Sequence, residues 1–168
     1  DPKRRARYRS WYLRNVLNCA LRFGEVYTTP EILGIIFTLP PGHKKFSNWQ
    51  YIQCGFLLTP LLMGFQDYKK SMDCEDFVED TRERLMKGRL HYYLWGLAVD
   101  PKQKARGIGT TLIRPVLVKA DDRGVPIYLE THDEKNVGYY KKHGFDLIHT
   151  AMIPKYELPI WCMLREPI

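Results

Sequence analysis

Residues Val99 to Thr110 read VDPKQKARGIGT, and they separate an apolar run, Leu90 to Val99, from an amphipathic one that begins at Ile108. The first run has the length and composition of a strand, and the second has helical spacing to about Arg123. Between them, Gly107 and Gly109 let a backbone approach a ligand closely, with Lys102, Lys104 and Arg106 adding positive charge. The free amides of a helix's first turn, together with its dipole, favour an anion at that point. The stretch therefore reads as a phosphate cradle or, more plainly, as a glycine turn before a helix. It is not a Walker loop, which would end in Gly-Lys-Ser/Thr. Nor is it a dinucleotide fingerprint, because Leu112 stands where a third glycine is needed.

Working outward, alternation continues to the end of the chain. Pro126 to Thr131 is the next strand, Asn136 to His143 a short helix, and Phe145 to Met152 and Ile160 to Leu164 two further strands. Strand, helix, strand, helix, strand implies crossovers and an at least partly parallel sheet. Upstream, Arg4 to Arg22 carries apolar positions at helical spacing and stops at Gly24. Glu25 to Thr29 and Ile32 to Leu39 form a hairpin turned at Pro30, and Pro40, Pro41 and Gly42 end it. Two helices are expected over Ser47 to Leu58 and Pro60 to Met86, the second capped by Thr59 with Pro60 in its first turn. Asp73 to Arg84 is charged on most faces and should meet solvent.

Composition bounds the rest. At 168 residues with 45% hydrophobic and 27% charged residues, the chain fits one globular domain with its own core. Cys19, Cys54, Cys74 and Cys162 stand singly, which argues against a structural zinc or a disulfide framework and for a reducing cytoplasm. The longest apolar stretch, Cys54 to Phe65, is 12 residues, short of the roughly 20 of a membrane span. The start is basic without the apolar follow-on of a secretory leader, and it lacks a methionine, as expected of a segment from within a longer product. Net charge is +7, and residues 1–25 supply +5 of it. Such a segment suits nucleic acid or simply a solvated helix face. Tyr8, Trp11 and Tyr12 beside its arginines would suit base stacking, but their spacing fits packing, so nucleic acid is not expected as a partner.

V-D-P-x-x-x-x-R-G-I-G-T-x-L resembles motif A of the GNAT superfamily of CoA-dependent N-acyltransferases, Q/R-x-x-G-x-G/A, with Lys104 at the Gln/Arg position and Gly107 and Gly109 at the glycines. Ala105 stands where a glycine is usual. A second block, Asn136-Val-Gly-Tyr-Tyr140-Lys-Lys-His-Gly144-Phe145, is similar to the superfamily's closing helix and strand. Trp161 to Pro167 resembles the last strand of a branch similar to puromycin N-acetyltransferase. The resemblance implies an α/β fold: a mixed, partly parallel twisted sheet flanked by helices, here without its first strand and helix. It implies a single acetyltransferase domain over 1–168, with acceptor-side helices and hairpin in 1–89 and an acetyl-CoA-binding half in 90–168.

It also implies an acetyl transfer from acetyl-CoA to the amine of a small molecule by direct attack, with no metal and no membrane. Backbone amides of Lys104, Ala105, Arg106, Gly107, Ile108, Gly109 and Thr110 would hold the pyrophosphate. The edge of Leu97, Ala98 and Val99 would pair with the pantetheine arm, and Asn136, otherwise a helix N-cap, would face the cofactor. Tyr140 takes the general-acid position; without the resemblance it reads as core. A base to neutralise the amine could be Glu130, His132 on the same strand face, or His91 before the preceding strand. Glu130 reads equally as a structural hydrogen-bonding residue, and His132 as an exposed strand end. The reading from another class is a non-catalytic acyl-CoA-sensing or nucleic-acid-binding module.

Overall fold

The structure, a computed structural model, describes residues 2–43, 45–103 and 105–168, with side chains from residue 8 onward. Two compact units emerge, one from residues 1–24 and 44–85, the other from 25–43 and 86–168.

The helical unit contains α1 (Pro2–Phe23), α2 (Asn48–Gln53), α3 (Thr59–Met63) and α4 (Phe65–Met86). Ser47 caps α2 in a capping box with Gln50, each side chain bonding the other's backbone N–H. The two long helices expected over 47–58 and 60–86 are each broken at a glycine. Gly55 has φ +100 and Gly64 φ +88, conformations that disfavour other residues and cannot continue an α-helix. Phe56 to Leu58 is a 3-10 turn, and Leu58 rather than Thr59 is the N-cap of α3, so Thr59 is its first residue. Asp73 to Arg84 is not the solvated face expected. Its residues are mostly half-buried, and Thr81 and Arg82 are buried, with Arg82 ion-paired to Glu79. The aromatic stripe of α1 packs as its spacing implied, Trp11 and Tyr12 each lying edge-on to Phe56.

Cysteine pairing is a further correction. Cys19 on α1 and Cys54 after α2 form a disulfide with Cα atoms 5.2 Å apart. Neither sits in a spacing motif, so only the fold brings them together.

The other unit is built on a sheet in the order β1-β2-β3-β4-β6-β5. Its strands are β1 (Glu25–Thr28), β2 (Gly34–Leu39), β3 (Tyr92–Val99), β4 (Ile127–Thr131), β5 (Asp146–Ile153) and β6 (Leu158–Arg165). The hairpin turn extends through Ile32, whose φ is +53, so β2 begins two residues later than expected. Each neighbouring pair is antiparallel except β3 and β4, which the crossover through α5 (Ile108–Asp122) makes parallel. A second connection, β4 to β5, runs through α6 (Lys135–Lys141). This is the mixed, partly parallel α/β sheet flanked by helices that the alternating pattern called for.

Leu112, Ile113, Val116 and Ala120 form the buried stripe of α5, in one core with Ile36, Leu94, Ile127, Leu129, Val137, Tyr140, Phe145 and Met163. Helix and hairpin touch closely at Gly34, where an added Cβ would stand 2.8 Å from Leu112 Cδ1 and 3.0 Å from the Ala98 carbonyl oxygen. At the other end of α5, buried Arg165 makes a two-pronged ion pair with Asp121, at 2.7 and 2.8 Å, and Asp121 also accepts the Ile168 N–H.

Two measurements test these anchors. Reduction, or Cys54→Ala, frees a chain loop of 35 residues' separation; chain entropy sets the expected loss at about 4 kcal/mol of unfolding free energy, read by urea titration. The Arg165 guanidinium holds the Asp121 carboxyl below its ordinary range. A depressed folded-state pKa stabilises above the unfolded value, and that stability is lost as pH falls through the folded one. Stability should therefore decline below about pH 4, and Asp121→Asn should remove part of that decline while costing about 3 kcal/mol at neutral pH.

Candidate active site

β3 and β4 pair only at Tyr92 with Ile127 and at Tyr93 with Tyr128 among the described residues, and then part. Beyond that point Leu97, Ala98 and Val99 bond β2 through Ile36, Ile35 and Gly34. Their other edge has left the β4 ladder, which is where an extended amide-bearing chain can add as a strand would. A bulge helps the strand turn away. Phe37 faces Gly96 and Thr38 faces Leu94, so Trp95 is an extra residue in β3. Gly96 leaves room for the Phe37 ring, since a Cβ there would lie 2.2 Å from it and would have to push it aside.

β3 leads through a 3-10 turn, Pro101–Gln103, into the first turn of α5. Asp100 anchors this turn by accepting the Lys102 N–H at 2.9 Å. Lys104 lies outside the described residues. Ala105 adopts φ +64, the left-handed conformation that the usual glycine would take without strain. Gly107, at φ +76, is the N-cap of α5 and supplies no side chain to its amides. The N–H groups of Ile108, Gly109 and Thr110 have no preceding helical carbonyl to bond, whereas the Thr111 N–H already bonds the Gly107 carbonyl. A Cβ at Gly107 would meet nothing within 4 Å. Open space beside unbonded helix-start amides fits a phosphate, so the residues present suit the pyrophosphate of CoA.

α6 closes on this turn. A Cβ at Gly109 would stand 2.9 Å from the Tyr139 hydroxyl, and that hydroxyl is buried with no hydrogen-bond partner. Burial pushes its pKa up to about 12, so it stays a donor at any ordinary pH. The His143 ring stacks edge-on to Tyr139 at 4.8 Å, and its Nε2 lies 3.4 Å from Thr110 Oγ1. Burial lowers the His143 pKa, so at neutral pH it approaches the helix start as a neutral ring. Neither residue was given a site role from the sequence, although their spacing of four places them on one helical face.

Tyr140 points the other way. It is 8% exposed, packed edge-on to Phe145 at 5.7 Å and to Tyr139 at 5.2 Å. Burial first, then the neighbouring Tyr139 and the Glu130 carboxylate, push its phenol up to about 12. Glu130, on β4 past its last pair with β3, accepts a hydrogen bond from the Tyr93 hydroxyl. That bond crosses the gap just where the two strands part, and Tyr93 was another residue the sequence did not single out.

Asn136 is not an N-cap. Glu134 holds that position, Asn136 lies inside the first turn, and its amide donates to Thr131 Oγ1 at 3.0 Å. Asp133 organises the turn instead, its carboxylate accepting the Lys135 N–H. His91 precedes β3, at the end opposite Val99, with Nδ1 2.7 Å from the Arg89 carbonyl and its ring against Tyr128. His132 is exposed beyond the end of β4, with Nδ1 3.0 Å from the Pro159 carbonyl. The structure thus sets the Glu130 carboxylate near enough to act electrostatically on the Tyr140 phenol and leaves His91 and His132 at other places on the sheet. Among the described residues, no cluster of His, Cys, Asp or Glu is arranged to hold a metal, and no helix is long and apolar enough to cross a membrane.

Residues 63–145, from α3 to the end of α6's turn, match the acetyltransferase (GNAT) family. The chain carries a GNAT-family acetyltransferase domain. An uncharacterized N-acetyltransferase of Schizosaccharomyces pombe is 24% identical over 149 residues, covering 86% of this chain and 60% of that protein. The chain thus spans about three-fifths of that relative's length. Among solved structures, a histone acetyltransferase HPA2 and related acetyltransferase from Corynebacterium glutamicum aligns over 97% of this chain and 75% of its own, with TM-score 0.57 and 15% identity. Naa20 of Chaetomium thermophilum, in complex with a bisubstrate analogue, aligns over 94% and 72%, with TM-score 0.52 and 13% identity. At such identities these two speak for the shared GNAT fold.

The cradle is tested by ligand-induced stabilisation. Acetyl-CoA at a hundred times its Kd should add about 2.7 kcal/mol to the unfolding free energy, seen as a rise in melting temperature. Gly107→Val strains a left-handed position and fills the open space above it; the variant should fold, melt somewhat lower, and show no rise with acetyl-CoA.

Proposed function

We propose that the chain transfers the acetyl group of acetyl-CoA to the amine of a small molecule by direct attack. The observation that carries this reading is the parting of β3 from β4 beside a ligand-ready helix start, with a protonated phenol and a carboxylate at the parting. Within the GNAT family, the Trp161 to Pro167 strand supports a place in the branch resembling puromycin N-acetyltransferase. Residues 90–168 take the acetyl-CoA-binding role, and residues 1–89, helices and hairpin, take the acceptor-side role. Together they act as one catalytic domain.

Each part has a task. Amides from residues 105–110, with Lys104 and Arg106, hold the pyrophosphate. The open edge of Leu97, Ala98 and Val99 pairs with the pantetheine amides. Asn136, held by Thr131, fixes the loop between β4 and α6 beside the cofactor. Attack by the neutral amine on the thioester carbonyl carbon forms a C–N bond and breaks the C–S bond, releasing a thiolate. Tyr140 donates its phenolic proton to that sulfur, and the proton the nitrogen sheds on becoming an amide returns through water to restore the phenol. From a phenol near 12 to a thiol near 8.5, full transfer is uphill by about 5 kcal/mol. A reaction turning over at about 10 per second has a barrier near 16 kcal/mol, which accommodates such a step.

The amine reaches this step as a cation of pKa about 10.4, and removing its proton at pH 7 costs roughly 4–5 kcal/mol. Glu130, close enough to bias Tyr140, is the base this geometry favours over His91 and His132, acting directly or through water. The cytoplasm remains the proposed place of action. Cys74 and Cys162, which lie outside the disulfide, suit it, and the buried Cys19–Cys54 bond is shielded from thiol exchange by its burial.

Turnover with a panel of small amines and, separately, of peptide amino termini tests the acceptor class; product from the peptides alone would redirect the assignment to proteins. Tyr140→Phe keeps the ring in the core, so folding and the acetyl-CoA-induced rise in melting temperature should persist while kcat falls about a hundredfold or more. Near-normal turnover would assign the proton to another donor. The pH profile gives an independent check. With Tyr140 pushed up to about 12 it remains protonated throughout the working range. Consequently kcat/KM should rise as the acceptor amine loses its proton and show no descending limb below about pH 10.

A further inference from the structure

The helical unit contains a cavity of about 200 Å³ that acetyl transfer by the sheet unit leaves unexplained. Tyr12 from α1, Tyr51 from α2 and Phe56 from the 3-10 turn form its aromatic wall, with Phe56 edge-on to both tyrosines at 5.7 Å. α4 contributes Glu75, one of whose carboxylate oxygens accepts the Tyr51 hydroxyl at 3.1 Å. Ile52 and Leu57, both exposed, stand at the cavity's apolar side.

Glu75 is the one charged residue among the described residues of the lining. Among the described residues, Lys45 is ion-paired to Asp76 and Arg82 to Glu79, and neither forms a salt bridge with Glu75. Burial pushes the Glu75 carboxyl up, and Asp76 and Glu79 add to that, against the Tyr51 hydrogen bond and the more distant Lys45. Glu75 in turn is the leading charge acting on Tyr12 and Tyr51, both raised first by burial. A half-buried carboxylate in an aromatic-lined cavity makes a region of negative potential. It disfavours anions and rewards a cation.

The wall chemistry selects the kind of cation. Hard metal ions require six or more oxygen ligands, and the lining offers one carboxylate among phenols and apolar groups, with no metal-holding cluster among the described residues. Aromatic rings and aliphatic side chains suit an organic ion. At about 30 Å³ per water, the volume equals six or seven waters, room for a compact ligand and not for a peptide.

We propose that this cavity binds a small organic ammonium ion with an apolar substituent, the charge held by Glu75 beside Tyr12 and Tyr51 and the substituent against Ile52 and Leu57. The site would recognise an amine in its protonated form, and its occupation is independent of whether that amine is acetylated. Binding is therefore measured without acetyl-CoA, so that failure here is told apart from failure of the transfer reading.

The test uses the full chain and calorimetry, with benzylammonium as probe and benzyl alcohol and benzoate as its neutral and anionic counterparts. Benzylammonium should bind saturably at submillimolar to millimolar concentration, at least tenfold more tightly than benzyl alcohol, with benzoate not binding. Glu75→Gln should weaken benzylammonium at least tenfold and leave benzyl alcohol unchanged. Ser71→Trp, which adds bulk to the lining, should abolish binding of both with the melting transition retained. Equal affinity for the ammonium and the alcohol, or undiminished binding in a folded Glu75→Gln or Ser71→Trp variant, overturns the proposal, as does no saturable binding of benzylammonium. If Glu75→Gln does not fold, the comparison of the three probes on the unaltered chain decides.

Discussion

Two residues of parallel pairing, Tyr92 and Tyr93 against Ile127 and Tyr128, hold β3 to β4, and the sheet unit is organised around how soon that pairing stops. The crossover through α5 places the strands side by side, and the Trp95 bulge turns β3 away. A parallel pair that continued would consume the backbone groups of Leu97 to Val99. Because it ends early, those groups sit beside a helix start whose own amides are unspent. The Tyr93 to Glu130 hydrogen bond spans the opening at its narrow end. Two shortages of hydrogen-bond partners, one on a strand and one on a helix, thus fall next to each other in the chain.

Close packing fixes where that helix start lies. Gly34 lets α5 approach β2, Gly109 lets α6 approach α5, and in each case a methyl group would have to displace a neighbour 2.8 to 2.9 Å away. The far end of α5 is pinned by Asp121 to Arg165 on β6. The same closeness divides the adjacent tyrosines of α6. Tyr139 turns its hydroxyl toward Gly109, while Tyr140 enters the core near Glu130.

Much of this was legible in the chain. The alternation after Leu90 and the glycines at 107 and 109 carry local signals, so the strand–helix order could be read from spacing alone, while the turn itself stayed open between a phosphate cradle and a plain helix entry. Ala105 shows how little a single substitution obscures: it takes the left-handed conformation despite its methyl group. What could not be read depends on contacts between distant residues. Cys19 and Cys54 meet only once α1 and α2 have packed, and Tyr93 reaches Glu130 across 37 residues of sequence. The breaks at Gly55 and Gly64 were missed for another reason. A single glycine costs a helix only about 1 kcal/mol, so its presence in a periodic run does not by itself announce a left-handed turn. Asn136 misled because its residue type suits a cap, whereas Glu134 two residues earlier begins the helix and Asp133 arranges the entry.

The Cys19–Cys54 bond has a topological meaning. The chain leaves the helical unit after Gly24 and re-enters it at residue 44, and both crossings fall between the two bonded cysteines. The β1–β2 hairpin therefore lies within a covalent ring closed from the other unit. A protease that cuts anywhere between residues 20 and 53 opens the ring without parting the molecule. On a denaturing gel such a cut would pass unseen until reductant was added, and then two fragments would appear. The amino-terminal fragment thus stays covalently attached after a break in the main chain, by a route the polypeptide order alone does not provide.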